Sequence, residues 1–154
     1  MAGVVAGTAR EFTMATLDNR RSAPVRPGGK ARGDAAEARA LQYLQAHGLR
    51  LVRRNARSPG RGGGEVDLIM AEADGTLVFV EVRQRTRADH GGAAASVGWA
   101  KQRRIVFAAR HFLARLSHVP PCRFDVVVID GELEGPEPPR IEWLRGAFDA
   151  TGWD

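Results

Sequence analysis

Cysteine is nearly absent from this chain: Cys122 stands alone. No internal disulfide can form, and no cage of thiolates can hold zinc. A lone thiol fits a reducing compartment, and a cytoplasmic protein is expected. No run approaches the roughly 18 consecutive apolar residues of a membrane span. The N-terminal stretch carries scattered arginines without the apolar core of a secretory signal. Lysine is almost missing too, with Lys30 and Lys101 the only two. Aromatic residues are few and scattered along the sequence, which argues against a base-stacking platform of the single-strand-binding kind. No Ser-His-Asp or Cys-His arrangement is readable, and His47, His90, His111 and His118 show no metal-ligand spacing.

What remains suits one domain with a real core, since the chain has 154 residues and an ordinary apolar share. The formal charge is +5, supplied almost wholly by arginine. Such a balance favours a polyanionic partner, because basic side chains displace counterions from a phosphate backbone. Nucleic acid is therefore the expected partner, with no membrane involved.

Residues 1–29 have no sustained period and close on Pro24, Pro27, Gly28 and Gly29. They read as a flexible tail ahead of a folded domain over 30–150. A helix is predicted from Ala35 to His47, with Glu37, Leu41 and Leu44 on one stripe. Leu49–Arg54 reads as a strand. The Arg- and Gly-rich segment after it, from Arg57 through Arg61 to Gly64, reads as a hinge whose arginines suit a phosphate strand. Strands over Glu65–Ala71 and Leu77–Arg85 follow, then a helix over Trp99–Leu116. Phe124–Ile129 has the continuous apolar character of a buried strand, and Ile141–Leu144 ends the fold. The order α-β-β-β-α-β-β predicts an α/β fold with a mixed sheet flanked by helices.

Strand parity sets Glu65 with Asp67, and Glu81 with Arg83, on common faces. A three-residue loop, Ala73-Asp74-Gly75, pairs Asp67 with Glu81 and Glu65 with Arg83, and Gly75 suits the left-handed position of such a loop. A two-residue Asp-Gly turn shifts the register by one and separates the acids. The odd loop gathers carboxylates that repel one another unless a cation lies between them. Mg²⁺ and Mn²⁺ favour such oxygen ligands. From spacing alone a second reading stays open: a Glu65–Arg83 cross-strand ion pair, with Asp67 and Glu81 at solvated strand ends. Glu37 likewise has two readings, an acid of the same site or the third-position partner of Asp34 in a capping box. Beyond Glu81, the alternating Arg83, Arg85 and Arg87 continue a basic path or form a solvated strand end.

The segments Gly64-Glu-Val-Asp-Leu-Ile69, Leu77-Val-Phe-Val-Glu-Val-Arg83, Lys101-Gln-Arg-Arg104 and Arg123-Phe-Asp-Val-Val-Val128 resemble the YraN-like family of predicted endonucleases. That family is assigned to the PD-(D/E)xK superfamily of restriction-endonuclease-like folds. The resemblance spans about Gly33 to Phe148. It implies a restriction-endonuclease-like mixed sheet and a Mg²⁺- or Mn²⁺-dependent endonuclease acting on DNA, including branched or damaged forms. It further implies Asp67 and Glu81 as metal-binding carboxylates, the Val82 carbonyl as an added ligand and Glu37 as a helix acid at the same metal. A homodimer is the oligomeric form such folds often take. Arg83 stands where the superfamily usually has lysine, and arginine effectively cannot give up its proton. Lys101, one turn before Ile105, is either a substitute cation at the site or a solvent-facing lysine of the first helical turn. The alternative the same residues leave open is a nucleic-acid-binding or adaptor module that keeps the fold without efficient catalysis.

Overall fold

The computed structural model describes residues 28–85 and 97–152; Arg87 and His90 lie outside them. Helix α1 (Gly29–Ala46) leads into β1 (Arg50–Arg57), β2 (Glu65–Ala71) and β3 (Leu77–Arg85). Helix α2 (Trp99–Leu113) precedes β4 (Cys122–Asp130) and β5 (Arg140–Phe148). The strands form one mixed sheet in the order β1-β2-β3-β4-β5. Only β3 and β4 run parallel, as their connection through α2 requires.

The expected order of elements holds, and the boundaries move. Helix α1 begins at Gly29, well before Ala35, so Asp34 lies within the helix and the capping-box reading of Glu37 is overturned. The C-terminus of α1 is closed by a Schellman arrangement. Leu49 N–H donates to the Leu44 carbonyl and Gly48 N–H to that of Gln45, with Gly48 at φ +91°. The apolar contact that accompanies this motif is made by Leu44 and Leu49, both buried.

Alternation along the strands sends side chains to two separate cores. Leu68, Met70, Val78, Val80, Val127 and Ile129 pack with Ala36, Ala40 and Leu44 of α1. Ile69, Ala71, Leu77, Phe79, Val126 and Val128 pack with Ile105, Val106 and Ala109 of α2. The sheet is thus apolar on both faces over its centre, which is why β4 reads as a nearly continuous apolar run. Sites for polar chemistry are left to the strand ends.

The Gly-rich segment between β1 and β2 is a closed loop. Ser58 is buried, its hydroxyl accepts the Gly64 N–H at 2.7 Å, and its own N–H donates to the Gly64 carbonyl at 3.0 Å. Gly64 must lack a side chain, because a Cβ there would stand 1.7 Å from the Arg104 carbonyl oxygen of α2. This close approach docks the start of β2 against the first half of α2.

Candidate active site

The β2–β3 hairpin turns through the three-residue loop expected. Glu72 N–H donates to the Thr76 carbonyl and Gly75 N–H to that of Glu72, with Gly75 at φ +91°. The ladder pairs Ala71 with Leu77 and ends at Leu68 opposite Val80. One further step in that register sets Asp67 opposite Glu81, on the α2 face that Ile69 and Phe79 also occupy. Past the end of the ladder the Val82 N–H donates to Asp67 Oδ2 at 2.8 Å. A carboxylate thus takes the place of a backbone acceptor and fixes the acid across the gap between the strands.

The predicted Glu65–Arg83 pairing is not in this ladder. Glu65 turns to β1, where Arg57 Nε meets its Oε2 at 3.1 Å. The solvated reading of Asp67 and Glu81 is also overturned, since Glu81 is only 7% exposed and Asp67 is half-buried. From α2, Lys101 Nζ reaches Glu81 Oε1 at 3.4 Å. Lys101 thus reaches the acid pair while its side chain stays 43% exposed. The other oxygen, Glu81 Oε2, is buried and has no hydrogen-bond partner among the described residues.

Burial pushes the Glu81 carboxyl up to about 8; the adjacent Asp67 carboxyl adds to this, and Lys101 opposes it. Burial also raises the Asp67 carboxyl, against the stabilising Val82 N–H, the neighbouring Glu81 carboxyl and the Lys101 charge. Glu37 comes from α1 on the other side of the sheet. Its carboxyl is raised by burial and then by Asp67, Asp34 and Glu65, with Arg54 opposing. Burial first, and mutual repulsion after it, thus disfavours the ionised form of the carboxyls at this end of the sheet.

Glu37 does not join Asp67 and Glu81 as a third ligand: among the described residues no three His, Cys, Asp or Glu side chains converge on one point. Its link is through Asn55 of β1. With its amide oriented to satisfy both neighbours, Asn55 donates to Glu37 Oε2 and Glu65 Oε1, each at 3.1 Å. Asn55 has φ +50°, a left-handed conformation that Asn tolerates better than most residues. An Asn inside a strand otherwise rich in arginine is the one signal that marks it.

The remaining candidates are dispersed. Val82 contributes its N–H to Asp67, as described. Arg83 is half-buried on β3 in register with Val128 of β4. Arg85 continues that face and lines a small charged recess with Asp130, Arg140 and Glu142. Arg61 is exposed in the closed loop. Asp125 has no part in the site. It is fully buried and accepts from Arg123 Nε at 3.0 Å, Trp143 Nε1 at 2.9 Å and Gly146 N–H at 2.9 Å.

Fold and site together define an α/β protein whose mixed sheet presents a buried, paired-carboxylate end beneath a helix lysine. The model of the uncharacterised protein family UPF0102 matches residues 36–129. The chain belongs to that family. It is 62% identical to a UPF0102 protein of Polaromonas naphthalenivorans (strain CJ2) over 124 residues, covering 79% of this chain and 81% of that one. It is 60% identical to one of Acidovorax sp. (strain JS42) over 130 residues, covering 84% and 92%. The matched segment includes Glu37, Asp67, Glu81 and Lys101. No helix among the described residues is long and apolar enough to cross a membrane.

Proposed function

We propose that this protein is a divalent-metal-dependent nuclease that hydrolyses phosphodiester bonds in DNA, with Asp67 and Glu81 as its metal-holding pair. The observation that carries this reading is Glu81 Oε2, a buried carboxylate oxygen with no donor among the described residues, beside a second carboxyl. An orphaned buried oxygen is costly unless a proton or a cation meets it.

The donor set fits Mg²⁺ or Mn²⁺. Such ions take oxygen ligands and need only one or two carboxylates, leaving the other positions to water and substrate phosphate. Asp67, Glu81 and the Val82 carbonyl would hold the ion. When bound it supplies an activated water and polarises the scissile phosphate. Lys101 stands beside the pair and offers charge to a phosphate oxygen approaching Glu81. A guanidinium is a poor general base, so the part of Arg83 is to orient phosphate. Glu37, held by Asn55, adds negative charge near Asp67 and strengthens the pull on a cation without being a direct ligand. The resemblance to the YraN-like endonucleases of the PD-(D/E)xK superfamily points the same way, and with it a reducing, cytoplasmic setting and a homodimer.

A second reading has its own support. The Lys101–Glu81 ion pair partly neutralises one would-be ligand, and Arg83 replaces the usual lysine. Both suit a nucleic-acid-binding module that keeps the fold with little catalysis.

Purified protein incubated with supercoiled, linear, single-stranded and four-way-junction DNA, with and without Mn²⁺, separates the two. The nuclease reading expects cleavage that needs the metal and disappears in Asp67→Asn. Salt-sensitive binding without cleavage of any form supports the second reading. Cleavage that persists in Asp67→Asn removes the proposed site.

A further inference from the structure

Helix α2 buries Ile105, Val106, Ala108 and Ala109 against the sheet. Its opposite face is not simply polar. Trp99 is 66% exposed and Phe107 53% exposed. Arg103 lies between them in sequence, four residues from each, so the three share one stripe of the helix. Arg103 stacks over the Trp99 ring at 5.8 Å, and exposed Arg110 continues the stripe one turn on. Helical spacing thus sets two exposed aromatic side chains and a guanidinium on one stripe. The two rings are separated by about 12 Å along the helix axis.

Charge selects the occupant. Between Asp89 and Asp125 the sequence holds no acidic residue, while Lys101, Arg103, Arg104, Arg110 and Arg115 fall on or beside α2. An anionic partner complements this face. Exposed indole and phenyl faces interleaved with guanidinium groups match unstacked bases joined by phosphates, whereas a duplex keeps its base faces covered. The stripe also leads to the acid pair: Trp99 is two residues from Lys101, whose ammonium meets Glu81.

We propose that the outward face of α2 is a track for single-stranded nucleic acid, on which Trp99 and Phe107 stack bases while Arg103 and Arg110 hold the intervening phosphates. The proposal rests on the nuclease reading only for where the strand leads, and the binding itself needs no metal.

The test is titration of the full chain, in EDTA, with fluorescent oligothymidylate, oligouridylate and a matched DNA duplex. Wild type, Trp99→Ala and Phe107→Ala are compared, and thermal melts establish that each variant folds. Single-strand affinity is expected to fall about tenfold in each aromatic variant. Duplex affinity should change by less than about twofold, since base stacking contributes nothing there. The two single-strand arms show whether DNA or RNA is preferred, and tight binding of either supports the proposal. Wild-type single-strand affinity in both aromatic variants overturns it. So does an equal loss on duplex, or a Phe107→Ala protein that changes only its sedimentation, which would make the face a contact between copies. Because the titration is run in EDTA, where metal-dependent cleavage cannot occur, failure of cleavage and failure of the track are told apart.

Discussion

Lys101 Nζ lies 3.4 Å from Glu81 Oε1, joining the first turn of α2 to the middle of β3. Glu81 Oε2 stays buried with no donor among the described residues, so the site without a bound cation favours a proton on the acid pair. Its energetic consequences can be measured without knowing a substrate.

Stability should fall as pH rises between about 4.5 and 8. The Glu81 carboxyl ordinarily titrates at 4.5 and is pushed to about 8 in the folded chain. In that window the folded state holds a proton that the unfolded state has released, so the stabilising contribution is full below 4.5 and lost toward 8. The neighbours Asp67 and Lys101 act on the same proton in opposite senses. A slope of about 1 kcal/mol per pH unit is expected from urea denaturation in EDTA, against a limit near 1.36. Glu81→Gln should flatten the slope and be the more stable protein at about pH 9. A slope identical in both proteins would exclude a protonated Glu81.

Gly64→Ala should destabilise the fold by about 3 kcal/mol or more. Its new methyl would stand 1.7 Å from the Arg104 carbonyl, which is backbone and cannot rotate away. Because that contact docks β2 on α2, Lys101 should shift from Glu81 as well. Urea midpoints measure the first effect, and the pH slope described above measures the second. A fully stable Gly64→Ala protein would contradict the close approach.

Removing the Asp125 carboxylate should cost about 3–5 kcal/mol, the range for leaving buried partners uncompensated. Trp143 Nε1 and the Gly146 N–H would lose their acceptor, and Arg123 would keep only Glu72. Chemical denaturation of Asp125→Ala checks this. A loss below about 1 kcal/mol would mean that the network is ornamental, as surface pairs often are.

Asn55→Asp should destabilise at neutral pH and recover in acid. Asn55 donates to both Glu37 and Glu65, and a third carboxylate between them would repel both. A thermal melting temperature several degrees below wild type at about pH 8, converging on wild type at about pH 4, is expected. A constant offset at every pH would indicate backbone strain at φ +50° rather than charge.

The acid pair was legible in the sequence because its causes are local. Strand parity and a three-residue loop closed by Gly75 are enough to place Asp67 opposite Glu81. The Glu65–Arg83 pairing failed because the ladder ends at Leu68 and Val80, and parity says nothing about where strands part. The start of α1 was missed because Gly28, Gly29 and Gly33 look like loop residues; burial of Ala36, Ala40 and Leu44 against the sheet outweighs the weak propensity of the first turns. The Lys101–Glu81 contact and the Asn55 bridge join residues far apart in sequence. Both depend on how helix and sheet pack, which no period of apolar residues encodes.

The central claim is that Asp67 and Glu81 hold a divalent cation, and isothermal titration of Mn²⁺ into wild type, Asp67→Asn and Glu81→Gln tests it most directly. The account predicts saturable binding to wild type at about pH 7 with release of close to one proton, read from buffers of different ionisation enthalpy, since Glu81 must ionise to accept the metal. Both variants should lose that binding while remaining folded. No binding heat with wild type, or equal affinity in Asp67→Asn, would contradict the claim.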